Sequence, residues 1–91
     1  MSRFEEMSEV LKVLAHPARL EIVAGLAKDE CNVSQIQKKL GLPQSTVSQH
    51  LRILRSGGVI KGRREGTKVC YTITSDWAKQ VIEMMQKGVI F

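Results

Sequence analysis

Apolar residues return every three or four positions along most of this chain, and the breaks in that rhythm divide it into five helices. Phe4, Met7, Val10, Leu11 and Leu14 share the first stripe and predict a helix over 3–14. The run His16-Pro-Ala-Arg19 stops it: Pro17 suits the first turn of a second helix and His16 the cap before it. Leu20, Ile22, Val23 and Leu26 carry that helix to about Lys28. Cys31-Asn-Val33 reads as a short extended piece. A third helix is expected from Ser34 to Leu40, capped by Ser34 and ended by Gly41. Pro43 closes the next turn, and a fourth helix is expected from about Gln44 to Ser56, broken by Gly57-Gly58. Two β-rich runs follow, Val59 to Arg64 and Lys68 to Ile73. They flank Glu65-Gly66-Thr67 and predict a hairpin with a three-residue loop. Ser75 or Asp76 can cap a fifth helix, Trp77 to about Lys87.

A helix, a short turn at Gly41 and a second helix make a helix-turn-helix, and a hairpin directly behind it completes a winged helix. The expected fold is therefore α+β, mostly α. Its order is helix, helix, strand, helix, helix, strand, strand, helix, in one domain spanning 1–91. A chain of 91 residues fits one domain and leaves little room for both a scaffold and a deep substrate cleft.

The fourth helix carries the first chemical signal. At 100° per residue, Val47, Leu51 and Leu54 share an inner stripe with His50 at its edge. Ser45, Gln49, Arg52 and Ser56 point the opposite way; Ser48 and Arg55 flank one edge of that face, Thr46 and Ile53 the other. A solvated helix face usually carries Glu and Lys four residues apart. Between Gln44 and Ser56 there is no acidic residue at all. Hydroxyls, amides and guanidiniums instead suit the base edges of a DNA major groove, where Gln pairs with adenine and Arg with guanine. Ser45, Thr46, Ser48, Gln49 and Arg52 are thus candidate DNA contacts.

Charge sharpens this picture. The chain carries a net +5, but eight basic residues fall between Lys38 and Lys68 with only Glu65 against them, a local net of +7. Such one-sided charge marks a polyanion partner. Arg63, Arg64 and Lys68 cluster at the hairpin tip around Gly66, above strands anchored by Val59, Ile60, Val69, Tyr71 and Ile73. A basic loop on a rigid ribbon suits the DNA backbone or minor groove, although basic residues also blunt exposed sheet edges.

The other features bound the reading. No apolar run approaches the roughly 18 residues of a membrane span, and the N-terminus lacks the apolar core of a signal peptide. Two cysteines are too few for a secreted disulfide framework, so a cytoplasmic protein is expected. There is no Ser-His-Asp arrangement, glycine-rich phosphate loop or ligand cluster, so neither an enzyme nor a cofactor is expected. Phe4, Met7 and Leu11 in the first helix and Trp77, Val81, Met84 and Met85 in the fifth exceed what one small core needs. They predict a symmetric dimer, with its two recognition helices in successive major grooves about 34–36 Å apart.

Three stretches, "LKVLAHPARLEIVAGL", "LGLPQSTVSQHLRILRSGGVI" and "RREGTKVCYTI", together resemble the ArsR/SmtB family of bacterial transcriptional repressors, from about residue 8 to 86. The resemblance implies a homodimeric winged helix on an operator of inverted symmetry, whose DNA affinity answers to a metal ion or another signal. It places Gln44, Ser45, Ser48 and Gln49 at base- and phosphate-contacting positions and Arg63 and Arg64 at DNA-touching positions of the wing. His50, at the core edge, reads better as a packed, hydrogen-bonded residue.

The match fails at the metal sites. The family's Cys-x-Cys pair corresponds to Asn32 and Ser34, with Cys31 one residue early, and one thiolate beside an amide and a hydroxyl is a poor soft-metal site. The second family site corresponds to Ser75 and Trp77, with Gly88 and Phe91 near the end, none of them such a ligand. His16 and His50 show no metal spacing, so no metal is expected. Cys31 and Cys70 are candidates for sensing an oxidant or reactive sulfur, if the extended piece pairs with the hairpin's second strand. Two further readings stay open: a repressor with no small effector, and a winged helix that binds protein or RNA.

Overall fold

The computed structural model describes residues 2–28 and 33–88. Helix α1 (Arg3–Leu14) begins with a capping box. The Ser2 hydroxyl accepts from the Glu5 N–H at 3.2 Å, and the Glu5 carboxylate accepts from the Ser2 N–H at 3.4 Å. Helix α2 (Pro17–Ala27) starts as expected, with Pro17 in its first turn and His16 Nδ1 accepting from the Ala18 N–H at 3.1 Å.

Helix α3 (Val33–Leu40) corrects the expectation at its start. Val33, read as extended, is helical, and Ser34 lies inside the first turn instead of capping it. The reason is spacing: Val33 shares a helical face with Ile36 and Leu40, and all three pack on the core. Cys31 and Asn32, the rest of the expected strand, lie outside the described residues. Gly41 closes α3 at φ +65°, its N–H bonded to the Gln37 carbonyl at 3.0 Å.

Helix α4 (Gln44–Ser56) runs between the expected bounds and ends at Gly57. Strands β1 (Ile60–Glu65) and β2 (Lys68–Ile73) then pair antiparallel, from Ile60 opposite Ile73 to Glu65 opposite Lys68. Glu65 is thus a strand residue. The loop is the two-residue Gly66-Thr67, with Gly66 at φ +65°, and not the three-residue loop expected. Helix α5 (Asp76–Gln86) is capped by Ser75, whose hydroxyl accepts from the Ala78 N–H at 3.2 Å.

The core joins all five helices to the base of the hairpin. Val10, Leu14, Ile22, Val23, Ile36, Val47, Leu54, Ala78 and Ile82 are buried together with Val59 and Ile60. Val59 fixes the hairpin to its neighbours through the backbone. Its N–H donates to the Leu54 carbonyl at 3.0 Å, and its carbonyl accepts from the Thr74 N–H at 2.8 Å. Strand alternation turns Ile60, Gly62 and Arg64 to one face, with Val69, Tyr71 and Ile73 opposite them. Gly62 lets the two strands pack closely there, since a β-carbon would lie 3.1 Å from the Tyr71 ring, a tight contact.

Candidate nucleic-acid interface

The inner stripe of α4 is where the periodicity placed it: Val47, Leu51 and Leu54 are buried in the core. Gln44, Ser45, Ser48, Gln49, Arg52, Arg55 and Ser56 are exposed, Thr46 is half-buried, and Ile53 stands partly out at the helix edge. The acid-free polar face is therefore a solvent face. At its Gln44–Ser48 edge a cleft opens, bounded by α4, by Ser34 and Gln37 of α3, and by Thr67, Lys68 and Tyr71 of the hairpin. Recognition helix and wing tip meet across this cleft as two walls of one polar groove.

The three basic wing residues do not act as one cluster. Arg64 lies on the sheet face of Val69 and Tyr71, two residues that line the groove. Arg63 lies on the other face with Lys61 and Glu65, and its guanidinium is paired with the Glu65 carboxylate. The period-two rule puts residues 63 and 65 on one side, which is the sequence signal for this pairing. An ion pair this exposed is worth at most about 1 kcal/mol and yields readily to a phosphate.

His50 is 9% exposed and belongs to a polar knot beneath α4. Arg19 Nη1 lies 3.3 Å from His50 Nδ1, and Arg19 Nε donates to the Val13 carbonyl at 2.6 Å. The His16 ring packs on the His50 ring at 4.5 Å between centroids, tilted by 50°. Arginine has no acceptor, so His50 Nδ1 accepts and the neutral ring keeps its proton on Nε2. Burial, then the neighbouring His16 and Arg19, push the His50 pKa below its ordinary 6.5. The packed, hydrogen-bonded histidine read from the sequence stands. Arg19 was missed, because its partner is 31 residues away and nothing local announces it.

Cys70 is buried on the sheet face away from Tyr71, and it is disulfide-bonded. Cys31 lies outside the described residues. The described residues at the positions matching the family metal sites have other roles in the fold. Ser34 is a helical hydroxyl, Ser75 spends its hydroxyl capping α5, and Trp77 packs against the core. Asn32 and Phe91 lie outside the described residues. Among the described residues, no three His, Cys, Asp or Glu side chains gather in one place.

Of the expected interface residues, Phe4 is 88% exposed, Leu11 45% and Met84 44%, while Met7 is half-buried. Trp77, Val81 and Met85 rest partly on the chain's own core. Among the described residues no helix is long and apolar enough to cross a membrane.

Comparison with known proteins gives this geometry a context. The model of bacterial regulatory proteins of the arsR family matches residues 16–61. The transcriptional repressor PagR of Bacillus anthracis is 45% identical over 82 residues, covering 89% of this chain and 82% of that protein. The structure of reduced HlyU from Vibrio cholerae superposes with a TM-score of 0.86 at 34% identity, covering 92% of this chain and 88% of that one. HlyU is described as a transcriptional activator. The homodimeric winged helix-turn-helix DNA-binding domain Mb0332 from Mycobacterium bovis superposes at 0.79 with 32% identity, covering 96% and 81% of the two chains. The motifs, the fold and the helix–wing surface agree with these relatives: the chain belongs to the arsR family of bacterial regulatory proteins and is a DNA-binding transcriptional regulator.

Proposed function

We propose that this chain works as a homodimeric repressor of an operator with inverted symmetry, without either of the family's usual metal sites. In this reading Ser45, Gln49 and Arg52 read base edges, Gln44, Ser48 and Lys68 hold backbone phosphates along the groove, and Arg63 and Arg64 extend the wing onto DNA. Thr46 lends its methyl and hydroxyl at the helix edge. The observation that carries the reading is the acid-free, exposed face of α4, whose Gln44–Ser48 edge shares one groove with Lys68 of the wing. The exposed apolar residues of α1 and α5, together with the homodimeric relative, support two-fold assembly. The test is selection of bound duplexes from a random pool, followed by titration of the winning site. Gln49→Ala is expected to cost about 1–3 kcal/mol and to relax preference at one base pair per half-site. A pool that yields no preferred sequence, or RNA bound as tightly as duplex DNA, would overturn it.

The bonded state of Cys70 favours a second reading of the signal. Disulfides in reducing compartments are mostly redox-sensing or catalytic, and here the proposed partner is Cys31, the chain's other cysteine. A thiol reductant delivers two electrons and two protons, the S–S bond breaks, and both sulfurs become thiols. The expected outcome is a change in operator affinity between dithiothreitol-treated and oxidised protein that Cys70→Ser abolishes. Equal affinity in both redox states sinks this reading and leaves abundance or a protein partner as the signal.

A further inference from the structure

The corner between α1 and α2 is fastened to α4 at two places. The Val13 carbonyl is among the last of α1, and the chain leaves the helix at Ala15, so no later N–H of that helix reaches it. Arg19 satisfies it, donating from Nε to the Val13 carbonyl at 2.6 Å while its Nη1 reaches His50 Nδ1 at 3.3 Å. The second fastening is the Val13 side chain itself. It sits so close to Gly57 that a β-carbon there would lie 2.4 Å from Val13 Cγ2. His50 and Gly57 are two turns apart on one side of α4, so Val13 meets that side twice, once through Arg19 and once directly.

The two helices joined in this way have different jobs. The opposite face of α4 carries Ser45, Gln49 and Arg52, and α1 presents Phe4 and Leu11 to solvent. We propose that Arg19 is a positioning residue for operator recognition: it locks α4 at one angle to α1 and so sets the spacing of the two recognition helices in the dimer. This rests on α1 being a dimer helix and α4 the reader, as argued above. The residue type matters, because a planar guanidinium holds two acceptors in fixed directions and an ammonium does not. The spacing matters because half-sites lie a fixed distance apart on the duplex.

The test uses the full chain and the duplex selected as described above, with Arg19→Gln, Arg19→Lys, His50→Asn and Gln49→Ala. Affinity for that duplex and for a random duplex is measured against salt, and again with the half-sites moved one base pair closer or farther. Thermal unfolding and sedimentation accompany each variant. Both Arg19 variants are expected to stay dimeric and to lose about tenfold in operator affinity. Random-duplex affinity and the salt slope should hold, and the penalty for wrong spacing should shrink. His50→Asn keeps an oxygen where Nδ1 accepts, so it should retain most of the affinity and the spacing preference. If Arg19→Gln does not fold, Arg19→Lys alone carries the comparison.

Two results overturn the proposal. One is unchanged operator affinity and spacing preference in folded Arg19→Lys. The other is an equal loss on operator and random duplex with the salt slope reduced by about one contact, which makes Arg19 a direct phosphate ligand. A neutral Gln49→Ala, or a wild-type monomer, instead overturns the recognition reading beneath it, and the proposal falls with that reading.

Discussion

At the scale of single residues, the side of α4 turned away from solvent is built around two demands that no propensity scale expresses. Gly57 has an ordinary backbone (φ −81°), so its requirement is steric: Val13 occupies the space of its side chain. Gly57→Ala is expected to destabilise the fold by about 1–3 kcal/mol, as overpacking does. Val13→Ala in the same chain should recover part of the loss, and denaturant unfolding of the two singles and the double measures that coupling. His50 is the second case. Its folded pKa lies below the unfolded 6.5, so the unfolded chain binds the extra proton in between. Its contribution to stability is neutral above pH 6.5, becomes unfavourable as pH falls below 6.5, and levels off once the folded ring also protonates. The charged groups acting on it are His16 and Arg19, both from the α2 side. Tm should therefore fall from pH 7 to 5 more steeply in the wild type than in His50→Asn, and parallel curves would contradict the assignment.

At the scale of elements, caps and pairing patterns fix where each piece starts, and they differ in how visible they are. Among the described residues, Ser2, His16 and Ser75 close helix starts with their side chains. Ser75→Ala removes the acceptor for the Ala78 N–H and is expected to cost about 0.5–2 kcal/mol in thermal unfolding. This is independent of any metal, which separates its structural role from the one inherited by position. The wing shows how pairing overrides a local reading. Glu65 opposite Lys68 turns a three-residue loop into a two-residue one, and the same alternation sends Arg63 and Arg64 to opposite faces. The two arginines should behave differently. Arg64→Ala is expected to weaken binding to any duplex and to lower the salt slope by about one. Arg63→Ala should do less at low salt, because Arg63 must first leave Glu65.

At the scale of the whole molecule, apolar surface is left over where a monomer has no use for it. Phe4, Leu11 and Met84 are exposed on α1 and α5, while Trp77, Val81 and Met85 divide themselves between the chain's own core and its outside. The described part of the fifth helix therefore leaves less apolar surface exposed than its composition suggested. Leu11→Glu is expected to shift the sedimenting species from dimer to monomer at micromolar concentration and to weaken operator binding with it. A Leu11→Glu variant that stays dimeric would move the interface elsewhere.

The periodicity by itself determined the helices, the helix-turn-helix, the wing and the outward polar face of α4. Each depends on which residues recur at a spacing of two or three to four, and that information is local. The metal-site mismatch was legible for the same reason, since it turns on residue identity at single positions. What only the tertiary structure decided are relations between distant residues: Val33 joining α3 to complete a packed stripe, the groove between α4 and the wing, and Cys70 found in a bond. Arg19 belongs with these. Pro17 was visible as a helix start, but the guanidinium that answers both the Val13 carbonyl at the end of α1 and His50 comes into place only once α1, α2 and α4 are packed together.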